Sequence, residues 1–77
     1  MKELIEFIAK SLVENPDQVS ITEEQEEDGT VLVKLSAAQD DMGRIIGKQG
    51  RTAKAMRTLL NAKATRENTR ASLQILE

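Results

Sequence analysis

Two glycines three residues apart, Gly47 and Gly50, enclose Lys48 and Gln49 in the part of the sequence best suited to chemistry. Glycine lets a backbone turn tightly, and it lets a ligand approach peptide N–H groups without meeting a Cβ atom. Lys48 offers a mobile cation, Gln49 an amide donor, and Arg51 a second cation directly after the loop. These groups suit a phosphate, so the segment predicts a loop that holds a sugar–phosphate chain.

The glycine spacing alone is unspecific, because it also occurs in ordinary connections between antiparallel helices. The surrounding charge favours phosphate binding: seven basic residues and no acid lie between Gly43 and Glu67. Other glycine motifs fit poorly. A Walker loop needs Ser or Thr after its lysine, where this chain has Gln49, and a dinucleotide fingerprint needs a strand leading into the loop.

The formal net charge of −2 hides a division of the chain into an acidic and a basic part. Residues 1–41 carry three basic and eleven acidic residues, whereas residues 42–77 carry eight basic and two acidic residues. A polyanion responds to the local field, which is screened over about 10 Å. A basic face is therefore predicted within an acidic protein. The acidic run Glu23–Asp28 is interpreted as a solvated hairpin tip; the alternative is a patch that repels wrong partners or docks a basic one.

The composition lacks the residue types that most often carry out catalysis. The chain has no cysteine, histidine or tyrosine, so a thiolate metal site and the commonest general base are excluded. Asp40 and Asp41 project in different directions if helical, and they are interpreted as N-cap and first-turn residues. We expect no enzyme activity, no catalytic residue, no metal and no cofactor. With no apolar run near 18 residues and no signal-peptide pattern, we expect a cytoplasmic protein that does not span a membrane.

The elements that must position the loop follow from the spacing of apolar residues. A first helix is predicted where apolar residues recur every three or four positions, and Pro16 ends that run. Its apolar face is Leu4, Ile5, Ile8 and Leu12, widened by Phe7 and Val13. Phe7, the single aromatic residue, is assigned to the core. Alternation over 19–22 and 31–36 predicts two antiparallel strands joined around Gly29.

A helix pair and a closing strand complete the chain. A short helix begins at Asp40 or Asp41 and runs to Ile46, and a second helix with a basic outer face opens near Arg51. Its apolar face consists of Ala53, Met56, Leu60 and Ala64. Alternation over 72–76 predicts the last strand.

One small core requires the helices to cover one side of the strands. We therefore predict an α+β fold of order α-β-β-α-α-β, with a mixed three-stranded sheet and three helices on one face, as a single domain over residues 1–77. Placed beside the first strand, the last strand would run parallel to it and antiparallel to the second.

The segment Ile45-Ile46-Gly47-Lys48-Gln49-Gly50-Arg51-Thr52-Ala53-Lys54 resembles the signature of the K-homology (KH) domain, an aliphatic pair followed by G-x-x-G and a helix. The order of elements around it is similar to the type II variant. The resemblance covers the whole chain and extends to bacterial single-KH-domain RNA-binding proteins of the KhpA kind. It implies a loop that grips about four nucleotides of single-stranded RNA, whose bases lie in a groove beside the helices and a strand.

Carried over position by position, the resemblance implies a set of RNA-binding residues. The loop residues clamp the backbone, an aliphatic pair lies on the helix entering the loop, and three basic residues flank the path of the RNA. In that order they are Gly47, Lys48, Gln49 and Gly50; Ile45 and Ile46; and Arg44, Arg51 and Lys54. Ala53 departs from the pattern, because many KH domains have a large aliphatic residue there, so the floor of the groove differs.

The near absence of aromatic residues predicts weak binding of low sequence selectivity, since base stacking contributes about 1–3 kcal/mol per base. The resemblance implies a homodimer, or a heterodimer with a larger KH-containing RNA-binding protein, in bacterial RNA regulation or chaperoning. Single-stranded DNA remains a variant of this prediction, because backbone capture barely distinguishes the two sugars. The alternative function is a protein-interaction adapter that docks an acidic partner on the basic helix face.

Overall fold

The computed structural model describes residues 1–76 and packs three helices against one face of a three-stranded sheet. The helices are α1 (Lys2–Leu12), α2 (Met42–Ile46) and α3 (Arg51–Arg66), and the strands are β1 (Ser20–Gln25), β2 (Val31–Ser36) and β3 (Ala71–Ile75). Short 3-10 turns at Pro16–Gln18, Gln39–Asp41 and Lys48–Gly50 precede β1, α2 and α3. The predicted fold class and the order α-β-β-α-α-β are confirmed.

The core lies between the helices and the central strand. Alternate residues of β2 point into it, and each helix contributes at least one side chain that is fully buried. Its members are Ile5, Ala9, Val33, Leu35, Ile45, Met56, Leu60 and Leu73. The core thus anchors α2 through Ile45, and α3 through Met56 and Leu60, on either side of the glycine loop.

The neighbour of the last strand differs from the expectation. The sheet order is β1-β2-β3, and β3 pairs with β2 in parallel, with Val33 opposite Leu73. Placing β3 beside β1 was wrong because β2 is the most apolar strand and takes the centre, where both of its edges are paired. Strand β1 is largely exposed and carries Glu23 and Glu24, which suits an edge.

The assignment of Phe7 to the core was also wrong: its side chain is 73% exposed. Ile5 and Ala9 define the buried side of α1, and Phe7 lies two residues from each, which turns it to the opposite side of the helix. Ala9 lies outside the predicted apolar face, but it is fully buried, and its small side chain allows α1 to approach the sheet.

The acidic run is divided between strand and turn. Strand β1 continues to Gln25, so Glu23 and Glu24 belong to it, and the turn spans residues 26–30. The Glu26 amide donates to the Thr30 carbonyl at 2.8 Å. The acids of the turn are exposed to solvent, as the interpretation as a solvated hairpin tip predicted.

Candidate nucleic-acid interface

The glycine loop is a single tight turn between α2 and α3. The Gly47 amide ends α2 by donating to the Gly43 carbonyl at 2.8 Å, and the Gly50 amide closes the turn on the Gly47 carbonyl at 3.1 Å. Gln49 and Gly50 both adopt left-handed conformations, with φ of 58° and 73°. The structure thus confirms a turn between two helices at the predicted position.

Gly47 is required for space as well as for conformation. Its φ of 79° and ψ of 170° fall in a region that only glycine populates readily. A Cβ atom at this position would overlap the Thr52 Oγ1 atom and would lie 2.7 Å from Thr52 Cβ and 2.8 Å from Thr52 N. Gly47 therefore allows the loop to lie directly against the first turn of α3. At Gly50 a Cβ atom would meet nothing within 4 Å.

Two peptide N–H groups of the loop are free to bind a ligand. The amides of Gly50 and Arg51 donate to the carbonyls of Gly47 and Lys48, whereas those of Lys48 and Gln49 have no acceptor among residues 1–76. Both side chains are exposed, as are those of Arg51 and Lys54. Adjacent free amides beside exposed cations form a site that suits a phosphate oxygen.

Arg44 is engaged elsewhere in the structure. Its guanidinium donates to Glu14 Oε1 at 2.9 Å and to Asp41 Oδ1 at 3.2 Å, which ties it to the chain segment after α1. That Arg44 flanks the RNA path stays a prediction, and a phosphate would have to compete with these two carboxylates for its guanidinium.

Asp41 connects the end of α1 to the start of α2. Its carboxylate is completely buried and accepts the backbone N–H groups of Glu14 and Asn15, both at 3.1 Å, and the Asn15 side-chain amide at 3.0 Å. Burial alone would raise the pKa of Asp41, but these hydrogen bonds and the Arg44 charge together lower it. Asp41 occupies the N-cap position of α2 as predicted, yet its side chain caps the turn after α1 and not its own helix.

The aliphatic pair before the loop is divided between core and surface. Ile45 is fully buried and supports the loop from the core, so its predicted contact with RNA stays a prediction. Ile46 is partly exposed and remains available at the entrance. Ala53, the departure from the KH pattern, is buried under the first turn of α3 with 4% of its surface exposed.

A cleft of about 150 Å³ runs between α3 and the free edge of β3. It is lined by Arg57, Leu60, Asn61, Ala71, Ser72 and Leu73. Even-numbered residues of the last strand pair with β2, as the bonds of Arg70 and Leu76 show, so the peptide groups of Leu73 face the open edge.

Arg57 is the residue that the set of predicted site residues missed. Its guanidinium donates to the Leu73 carbonyl at 3.4 Å, which places a cation inside the cleft. Its position three residues after Lys54 could have identified it, because residues three apart share one side of a helix.

The acidic hairpin and the glycine loop lie at opposite ends of α3. The C-terminal end of α3 meets the hairpin turn, where Thr69 Oγ1 donates to the Gly29 carbonyl at 3.3 Å. The loop lies at the other end of α3, about 24 Å away for 16 residues. The acidic hairpin is thus beyond the screening length from the loop. Among residues 1–76, no helix is long and apolar enough to cross a membrane.

Comparison with known proteins gives matches along the whole chain. A family model described as KhpA/KhpB, KH domain, matches residues 2–75. The RNA-binding protein KhpA of Clostridium acetobutylicum is 49% identical over 76 residues, which cover 99% of this chain and 100% of that protein. The RNA-binding protein KhpA of Chlamydia pneumoniae is 51% identical over 77 residues, covering 100% and 97%. That of Listeria monocytogenes is 49% identical over 77 residues and covers both chains completely.

Proposed function

The chain belongs to the family of KhpA/KhpB KH domains, and on that premise we propose that it binds single-stranded RNA through its glycine loop. The membership confirms the resemblance drawn from the loop and the element order, and it confirms that the protein is not an enzyme. The observation that carries the proposal is the pair of free amides at Lys48 and Gln49 beside the exposed cations Arg51 and Lys54. The curated relatives bear the name RNA-binding protein.

The RNA path continues from the loop along α3. Arg51, Lys54, Arg57 and Asn61 succeed one another on the side of α3 that faces the cleft, over about 15 Å of helix. Phosphates bind at the loop and the first turn of α3, and the bases lie toward the edge of β3. This length suits the four nucleotides that a KH domain holds.

The interaction is weak and discriminates poorly between sequences. No aromatic side chain lines the cleft, so the stacking contribution of about 1–3 kcal/mol per base is absent. Phe7 does not supply it, because α1 packs on the side of α3 away from the cleft: Leu4 lies beside Leu59, whereas Arg57 faces β3. We propose that the protein acts in the cytoplasm as a homodimer, or as a heterodimer with a larger KH-containing RNA-binding protein, in RNA regulation or chaperoning.

The test is the double substitution Lys48→Asp with Gln49→Asp. Both side chains are exposed, and aspartate tolerates the left-handed conformation of position 49, so the fold is expected to survive. Two carboxylates beside the free amides repel a phosphate. We expect the affinity for a short single-stranded RNA, measured by fluorescence anisotropy at 100 mM salt, to fall at least tenfold.

The matched control is Lys2→Asp with Gln25→Asp, which changes the net charge equally. Lys2 is at the start of α1 and Gln25 ends β1 next to the hairpin turn, away from the loop. The added negative charge of the control variant should cause only a small, general electrostatic loss of RNA affinity. We therefore expect its affinity to stay within about twofold of the parent value. If the loop variant folds and binds RNA as the parent does, the proposed site is excluded. A DNA oligonucleotide of the same sequence, measured in the same way, gives the preference of the protein for RNA.

A further inference from the structure

The cleft between α3 and the open edge of β3 suits one flat ring. Its volume of about 150 Å³ is well below the roughly 300–1,000 Å³ of pockets for drug-sized ligands. Its floor is apolar, because Leu60 is fully buried and Leu73 is only 7% exposed. A nucleobase that lies on this floor turns one polar edge toward the wall of the cleft, so the groups on that wall determine which base is preferred.

The wall of the cleft presents hydrogen-bond donors. The peptide groups of Leu73 face the open edge of β3, so its N–H group is directed away from β2. The Leu73 carbonyl already accepts a hydrogen bond from the Arg57 guanidinium, at 3.4 Å. The guanidinium carries only donors, and most of them remain after this single bond. At this position an amino group of a base would meet the Arg57 charge, whereas an acceptor of a base would meet N–H donors.

The other polar groups of the cleft do not reverse this preference for acceptors. Asn61 lies one turn of α3 beyond Arg57, and its side-chain amide offers both a donor and an acceptor, so it favours neither kind of base. The Ser72 side chain points to the opposite face of the sheet from that of its neighbour Leu73. The next carbonyl on the open edge belongs to Ala71, about 7 Å along the strand. Because β3 runs back along α3, that carbonyl lies beside the turn of Asn61 and not beside Arg57.

Guanine and adenine differ at the base edge that carries N7. Guanine presents two adjacent acceptors, N7 and O6, whereas adenine presents N7 beside an amino donor at N6. Two N–H groups of an arginine fit the guanine edge together, but with adenine one of them faces another donor. We propose that Arg57 determines the specificity of the cleft and makes it prefer guanine to adenine. This inference rests on the proposed function and deepens it, because it names the base that the cleft selects.

The size of the preference follows from the exposure of Arg57. Water and the Leu73 carbonyl both compete for its donors, so we expect a preference of about fivefold, at the lower end of what a bidentate contact gives. One selective position among about four nucleotides leaves the selectivity of the whole interaction low, as the proposed function states.

The test compares single-stranded uridine hexamers that carry one guanosine, adenosine, inosine or 7-deazaguanosine at a central position. Inosine retains the O6 and N7 acceptors of guanosine, whereas 7-deazaguanosine lacks N7. Measured by fluorescence anisotropy, the full chain should bind the guanosine and inosine hexamers equally within about twofold and the adenosine hexamer about fivefold more weakly. The 7-deazaguanosine hexamer should bind no better than the adenosine hexamer. Equal affinities for guanosine and adenosine, or for guanosine and 7-deazaguanosine, overturn the proposal.

The substitution Arg57→Lys separates base recognition from charge. Lysine keeps the positive charge but lacks the fork of N–H groups that pairs with two acceptors, so the ratio of guanosine to adenosine affinity should fall to about one. The affinity for the adenosine hexamer and its dependence on salt should stay close to the parent values. The matched control is Arg66→Lys, in the last turn of α3 and away from the cleft, which should keep the parent ratio. If Arg57→Lys also keeps that ratio, the assignment of specificity to Arg57 is overturned.

The loop proposal and this inference fail in different ways. The Lys48→Asp, Gln49→Asp variant should lose affinity for every hexamer, whereas Arg57→Lys should lose only the difference among them. If the parent binds all the hexamers with one affinity, backbone capture by the loop stands and the role of Arg57 is wrong. If the parent binds none of them, both proposals are wrong.

Discussion

At the scale of single residues, the two glycines of the loop serve different purposes. Gly47 adopts a conformation restricted to glycine and lies directly against Thr52, whereas Gly50 needs only a left-handed φ and faces open space. Glycine is therefore required at position 47 for both space and conformation, and at position 50 for conformation alone.

Alanine substitutions at the two positions should separate these requirements. Gly47→Ala combines a disfavoured conformation with overlap against Thr52, for an expected loss of about 3 kcal/mol in the free energy of unfolding and at least tenfold in RNA affinity. Gly50→Ala costs about 1 kcal/mol and largely retains binding. Urea unfolding and fluorescence anisotropy measure the two effects. Equal losses at the two positions would contradict the role of the Thr52 contact.

The contacts of two arginines show how the fold directs basic side chains near a motif to different partners. Arg44 and Arg57 are similar in sequence terms, since both lie within the acid-free stretch around the loop. Glu14 and Asp41 hold Arg44 against the segment after α1, whereas Arg57 reaches the edge of β3. Only the positions of the contacting segments distinguish them.

At the scale of elements, Asp41 controls how α2 is attached to α1. Because α2 has five residues and leads directly into the loop, its direction depends on this anchor. The Asp41 carboxylate meets backbone donors at residues 14 and 15, which come before the whole hairpin in the chain. The sequence predicted that Asp41 would cap its own helix. In the structure its side chain instead caps the chain segment after α1, which is distant in the sequence.

The anchor makes a pH-dependent contribution to stability. The folded pKa of Asp41 is lower than its unfolded value of about 3.9, so its contribution is fully present above that value and is lost as the pH falls through the folded pKa. Asp41→Asn replaces an acceptor oxygen by a donor and should lower the melting temperature by about 10 °C at pH 7. The difference in melting temperature between this variant and the parent should become smaller below pH 4.

Thermal unfolding monitored by circular dichroism between pH 2 and 7 measures this contribution. Asp40→Asn is the control, because Asp40 is the exposed neighbour and its side chain makes no ion pair within residues 1–76. It should change the melting temperature little at any pH. A deficit of Asp41→Asn that is as large at pH 2.5 as at pH 7 would count against the ionised carboxylate as its source.

At the scale of the whole molecule, the separation of charge explains how an acidic protein can attract a polyanion. The molecule is 34 Å long, and the acidic hairpin and the loop lie at opposite ends of α3. Since the screening length is about 10 Å, RNA at the loop is little affected by the acids of the hairpin. The net charge of −2 is therefore a poor guide to function.

Salt dependence should report the number of phosphates bound. If Lys48, Arg51 and Lys54 each neutralise one phosphate, the logarithm of the affinity should fall against the logarithm of the salt concentration with a slope near −2, at about −0.7 per phosphate on a single strand. Titrations between 50 and 300 mM KCl measure this slope. The Lys48→Asp, Gln49→Asp variant should give a shallower one, and a flat response of the parent would rule out phosphate capture by the loop.

Hydrophobic periodicity and turn residues were sufficient to predict all three helices, all three strands, their order and the loop. These signals are local: the spacing within α1 or β2 and the break at Gly47 depend on residues close in the chain. The acid-free stretch likewise predicted a basic face without knowledge of the fold. The family resemblance rested on the same local pattern around the loop.

Tertiary structure decided which side chains those elements bury and which they present. Phe7 was assigned to the core because it is aromatic, but the direction of α1 is set by Ile5 and Ala9 and leaves Phe7 outside. The burial of Ile45 and the position of Arg57 in the cleft likewise result from contacts with segments that are distant in the chain. Periodicity identifies a helix or a strand, but only packing between elements determines which face is covered, which strands pair and which charge remains free to bind.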